Sequence, residues 1–67
     1  MRKKELQEIL SKIDRLLNLL FRDEDIQKWL NSPNRELSNS TPKSLLDDGH
    51  AQLVLELLED MQEGNPT

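Results

Sequence analysis

"KWLNSPNRELSNSTPKSLLDDGH", Lys28 to His50, decides how this chain folds. It holds the single Trp, two of the three Pro and one of the two Gly, with Ser, Thr, Asn and Asp between them. Each of these residue types starts or stops a helix for a local reason. Pro33 disfavours helical geometry at Ser32, so the helix that carries Trp29 must stop near Asn31. Ser32-Pro33 can then start a single turn through Leu37, with Ser as cap and Pro at the first helical position. Ser38-Asn39-Ser40 reads as loop. Thr41-Pro42 repeats the device, Thr as N-cap and Pro as the first helical residue. A short helix follows from about Pro42 to about Asp48, with Leu45 and Leu46 inward, and Gly49 ends it as a left-handed C-cap.

Leucine-rich helical text flanks this stretch on both sides. Upstream, Leu6, Ile9, Leu10, Ile13, Leu16, Leu17, Leu20 and Phe21 recur at steps of three and four, which predicts one long helix over Lys3 to Phe21. That stripe is wider than a coiled-coil seam, wide enough to serve both the chain's own bundle and a second subunit. Asp23 reads as the N-cap of a second helix, with Glu24 and Asp25 in the first turn and Ile26, Trp29 and Leu30 as its apolar face. Downstream, Leu53, Val54, Leu57, Leu58 and Met61 predict the inner face of a last helix from about His50 to about Glu63. Gly64 stops it, and Asn65, Pro66 and Thr67 form a tail. The expected architecture is all-α: a small helical bundle, one long N-terminal helix followed by three shorter helices with tight caps. Residues 1–22 form the amphipathic N-terminal helix and residues 23–67 the rest of the module.

Composition narrows the function. The chain has 67 residues and a net charge of -4. A single core of this size contributes roughly 3–5 kcal/mol, so further stability must come from close helix packing or from association. With no Cys and one His, disulfides are excluded and a zinc site is not expected. No glycine-rich phosphate loop or dinucleotide fingerprint occurs, so no cofactor is expected. Asp47-Asp48 falls short of a calcium loop. His50 has no orienting partner in the sequence, and helix caps account for the Ser and Asp residues better than a catalytic triad does. The chain is not expected to be an enzyme. No apolar run approaches the roughly 20 residues of a membrane span. The start, "MRKKELQEIL", lacks the apolar segment of a secretion signal, so the expected location is cytoplasmic.

Charge is split along the chain. Residues 1–22 carry six Lys/Arg and three Asp/Glu, net +3; residues 23–67 carry three and ten, net -7. A basic first helix ahead of an acidic remainder implies electrostatic self-complementarity or an acidic face offered to a basic partner. The overall acidity argues against a DNA-associated regulator acting through the small "RKK" arm.

Trp29-Leu30, Pro33-Asn34, Leu37, Pro42, Leu45-Leu46, Gly49, Val54, Leu57-Leu58 and Gly64 occur in an order and spacing that resemble the C-terminal toxin-binding domain of Xre/MbcA/ParS-type antitoxins. The resemblance is tight from Trp29 to Gly64 and looser over the first helix. It implies a non-catalytic binding module that neutralises a RES-domain toxin, an enzyme that consumes NAD, with the antitoxin's C-terminal end approaching the toxin's active site. It also implies oligomerisation. Longer members carry a DNA-binding helix-turn-helix, for which this chain has no room, so DNA autoregulation is not expected of it. An oligomeric adaptor that shares the fold without a toxin is the alternative.

Candidate sites follow. Glu56, Glu59, Asp60 and Glu63 give the last helix an acidic face for a basic partner rim. Gly64, Asn65, Pro66 and Thr67 are the candidate direct toxin contact, by the resemblance and by the accessibility of a chain end. Leu6, Ile9, Ile13, Leu16, Leu17, Leu20 and Phe21 are the candidate oligomerisation surface, most simply of a two-fold dimer through the first helix. Trp29 reads as a core anchor.

Overall fold

The computed structural model describes residues 3–64. They form four α-helices: α1 (Lys3–Leu20), α2 (Asp23–Leu30), α3 (Pro42–Asp47) and α4 (Ala51–Gln62). One 3₁₀ turn, Arg35–Leu37, lies between α2 and α3, and no strand occurs among the described residues. The all-α bundle with a long first helix is the fold the sequence pattern predicts.

The main packing is α1 against α4, while α3 lies on α4 and α2 bridges α1 and α3. The core consists of Ile13, Leu16 and Leu17 from α1 and Ala51, Val54, Leu55 and Leu58 from α4. Ala51, Val54 and Leu58 are wholly buried, and Pro42 at the start of α3 is fully buried as well. Leu6, Ile9, Leu20, Phe21, Ile26, Trp29, Leu30, Leu45 and Leu46 pack around this centre, partly buried. Trp29 therefore braces the edge of the core.

Three cap assignments from the sequence hold in the structure. Thr41 Oγ1 accepts from the Ser44 N–H at 3.1 Å, and Ser44 Oγ donates back to the Thr41 carbonyl at 2.8 Å, with Pro42 first in the helix. Gly49 has φ +85. It ends α3 as a Schellman motif: the His50 N–H reaches the Leu45 carbonyl at 2.7 Å and the Gly49 N–H reaches Leu46 at 3.2 Å. Gly64, φ +67, closes α4 through its N–H on the Met61 carbonyl.

Three expectations are corrected. Asp23 is not the cap of α2 but its first residue; Arg22 is the cap, with extended backbone and no side-chain cap bond. The three carboxylates Asp23, Glu24 and Asp25 all sit within the first turn, where they face the positive end of the helix dipole. Ser32-Pro33 does not start a helical turn. The Ser32 hydroxyl donates to the Lys28 carbonyl at 2.6 Å, and the Asn31 side-chain amide donates to Gln27 at 2.8 Å, so both residues are used to close α2. Asn34 caps the 3₁₀ turn instead, its Oδ1 accepting from the Glu36 N–H at 2.9 Å. Finally, the inner face of α4 is rotated from the one predicted. Leu55 is buried, whereas Leu53 is 49% and Met61 37% exposed.

Candidate functional site

The rotation of α4 creates the most distinctive surface of the molecule. Because Ala51, Val54, Leu55 and Leu58 turn toward the core, Leu53, Glu56, Leu57 and Asp60 are left along an outer edge. Across from that edge stand Glu36, Leu37, Ser38 and Ser40 from the 3₁₀ turn and its loop, Leu45 of α3, and His50 at the head of α4. Together these residues line a groove, which continues past Met61 to Gly64. Leu37, Leu45 and Leu57 are half-buried and form its apolar floor, and Leu53 rises from it. Glu36, Glu56 and Asp60 supply its charge, and among the described residues no Lys or Arg lines it.

Asn34 holds the far wall in place. Its backbone N–H donates to the Ser40 carbonyl at 3.0 Å, and its own carbonyl accepts from Asn39 at 2.8 Å. Its side chain at the same time binds the Glu36 N–H. The loop is thus tied at both ends, and closing it so tightly puts Ser38 and Asn39 in the left-handed region, φ 56 and φ 66. The result fixes where Leu37 and Glu36 face α4. Both left-handed positions, Ser38 and Asn39, are held by non-glycine residues in backbone geometry that glycine adopts most readily.

The four carboxylates taken from the sequence as one acidic face all lie on the exposed side of α4 and are divided between its two edges. Glu56 and Asp60 are in the groove. Glu59 is on the opposite edge of α4, with Gln62, against Lys12, Arg15, Leu16 and Leu19 of α1. Glu63 is the exposed C-cap of α4. Gly64 is at the mouth of the groove, while Asn65, Pro66 and Thr67 lie outside the described residues. Of the seven residues assigned to oligomerisation, Ile13, Leu16 and Leu17 are buried against α4 of the same chain, and Leu6, Ile9, Leu20 and Phe21 pack around them. The exposed apolar residues of α1 are instead Leu10 and Leu19, at 40% and 63%.

Sequence reasoning missed Glu36 as a site residue and placed Leu53 and Met61 in the core. Nothing local marks Glu36, because only the folding back of its loop sets it opposite Glu56 and Asp60. Among the described residues no group of three or more His, Cys, Asp or Glu could hold a metal ion. No helix among them is long and apolar enough to cross a membrane. The chemistry the groove can perform is recognition: apolar contact along the floor and attraction of cations at the rim.

Comparison with known proteins bears on what is recognised. The profile of the family described as the antitoxin Xre/MbcA/ParS C-terminal toxin-binding domain matches residues 16–64. That span takes in every residue of the groove. The mycobacterial cidal antitoxin MbcA of Mycobacterium bovis is 40% identical over 62 residues, covering 92% of this chain and 54% of that protein. The antitoxin of the same name from Mycobacterium tuberculosis matches to the same extent. The chain thus spans about half the length of the curated relatives it matches. No solved structure matches it significantly. The match across all of α2, α3, α4 and the last turn of α1 shows that this chain belongs to the Xre/MbcA/ParS family of antitoxin C-terminal toxin-binding domains.

Proposed function

We propose that the chain is the toxin-binding module of an antitoxin and that it neutralises a RES-domain, NAD-consuming toxin in the cytoplasm. The observation that carries this reading is the family match over residues 16–64, in relatives whose names are those of antitoxins. The groove supports it physically. Leu53 and Met61 are large apolar side chains left exposed in so small a domain, where such surface marks a binding partner. Glu36, Glu56 and Asp60 ring it with one sign of charge and select a partner whose rim is basic. The groove opens at Gly64, so a partner seated in it meets the point from which the C-terminal residues depart.

Neutralisation here is binding and occlusion, and requires no chemistry from the antitoxin. A toxin held by the groove along α4 has the end of α4 at its surface, and steric exclusion of NAD is sufficient to stop it. The test is co-expression of this chain with a RES-domain protein encoded beside it. Co-purification of the two, with growth and cellular NAD restored, is the expected result. Failure both to co-purify and to restore growth would overturn the reading and leave an adaptor role.

A further inference from the structure

The chain has no Cys, so the thioether of methionine is its most readily oxidised side chain. Of the two Met, Met1 lies outside the described residues, and Met61 is in the last turn of α4, 37% exposed. Met61 belongs neither to the core nor to the apolar residues packed around it. It stands instead at the mouth of the groove, with Leu57 beside it, Glu36 and Asp60 at the rim and Gly64 at the end. Solvent reaches the sulfur there, and the buried core does not depend on it.

We infer that Met61 is a redox-sensitive modification site: a hydroperoxide, hydrogen peroxide in the simplest case, converts its thioether to the sulfoxide and so lowers the affinity of the groove for the toxin. This rests on the reading of the groove as the toxin's seat. In the reaction the sulfur attacks one peroxide oxygen and gives up an electron pair. An S–O bond forms as the O–O bond breaks, and the proton of the transferred oxygen passes to the departing hydroxide, which leaves as water. A flexible apolar side chain becomes a polar one. Apolar contact with the partner is lost, and the new oxygen must be stripped of water for the complex to form. That oxygen only accepts hydrogen bonds, and the ionised carboxylates of Glu36 and Asp60 beside it have none to donate. A seated toxin covers the sulfur, so the oxidation falls on the free chain and blocks its association. Methionine sulfoxide reductase chemistry reverses the change.

The test uses the purified chain and the RES-domain protein encoded beside it. The chain alone is treated with hydrogen peroxide, the peroxide is destroyed with catalase, and affinity is then measured by titration calorimetry. Peptide mass mapping should show one added oxygen on Met61, with the helical circular dichroism unchanged. Affinity should fall by about tenfold, the order set by a lost apolar contact and a newly desolvated polar group. Methionine sulfoxide reductase should restore it. M61L keeps the apolar contact and should bind like the parent chain, before and after peroxide. M61Q should bind weakly without any peroxide. When the complex is treated instead of the free chain, Met61 should be protected. Unchanged affinity of the oxidised chain overturns the inference, as do an equal loss in M61L, unfolding by the treatment, or oxidation of Met61 as fast in the complex as in the free chain. An untreated chain that does not bind at all overturns the antitoxin reading, and this inference falls with it.

Discussion

The ring of Phe21 lies 5.5 Å from that of Trp29, centroid to centroid, tilted by 32°. Phe21 is the residue after α1, its N–H bonded to the Leu17 carbonyl, and Trp29 is in the last turn of α2. The pair clamps the corner between the two helices over the edge of the core. Aromatic pairs of this kind contribute about 0.5–1.5 kcal/mol beyond their buried area. Trp29→Ala should cost about 2–3 kcal/mol, below the range for a fully buried Trp because this one is half-exposed. A double-mutant cycle with Phe21→Ala, read by urea denaturation, should give a coupling of about 1 kcal/mol. Additive costs would mean that the rings act independently.

Leu58 and Leu53 have the same chemistry and opposite environments. Leu58 is wholly buried and Leu53 is 49% exposed. Leu58→Ala should cost about 2–5 kcal/mol, comparable to the roughly 3–5 kcal/mol that one small core supplies, so the variant should be largely unfolded at room temperature. Leu53→Ala should shift the melting midpoint by only a few degrees, a change of at most about 0.5 kcal/mol. Circular dichroism melts distinguish the two, and equal losses would contradict the observed rotation of α4.

Thr41→Ala removes the acceptor for the Ser44 N–H and should cost about 1 kcal/mol, whereas Thr41→Ser should be nearly neutral. Asn34→Ala is expected to cost a similar ~1 kcal/mol through the lost bond to the Glu36 N–H. It should also loosen the far wall of the groove, which faster amide exchange at Glu36 would report.

Gly49→Ala forces an L side chain to φ +85, where it meets nothing within 4 Å; the cost is backbone strain of about 1 kcal/mol, not a clash. Ser38→Gly relieves the same kind of strain at φ 56 but adds freedom to the unfolded chain, so it should be neutral or stabilising by about 0.5 kcal/mol. Thermal denaturation of both variants checks the opposite signs.

Glu56→Lys with Asp60→Lys reverses two of the three carboxylates of the groove without touching the core. Binding to the toxin should weaken by at least about tenfold, measured by titration calorimetry, with most of the loss disappearing at high salt. Unchanged affinity would move the toxin contact away from the groove, to the end of α4.

Much of this architecture was legible because it is local. A hydroxyl two or three bonds from the backbone caps its own helix, and a glycine at positive φ stops one, whatever the rest of the chain does. Thr41, Pro42, Gly49 and Gly64 could be read on that ground. Ser32 shows the limit, since its hydroxyl could serve the helix after it or the one before it, and the structure assigns it to α2.

The candidate site was less legible, and α4 shows why. Its apolar residues at 51, 53, 54, 55, 57, 58 and 61 cover more than half of the helix circumference. Two stripes can be drawn through them with the same period, one through Leu53 and Leu57, the other through Ala51 and Leu55. Periodicity is satisfied by both, and only the position of α1 across the helix selects the second. By itself, then, the sequence determined that the chain is helical, where most of its helices begin and end, and which family pattern it carries, because caps, turns and helical periods act within a few residues. Only the tertiary structure decided which leucines are buried and that Glu36, Glu56 and Asp60 share a groove, because burial and convergence depend on packing between segments far apart in the chain.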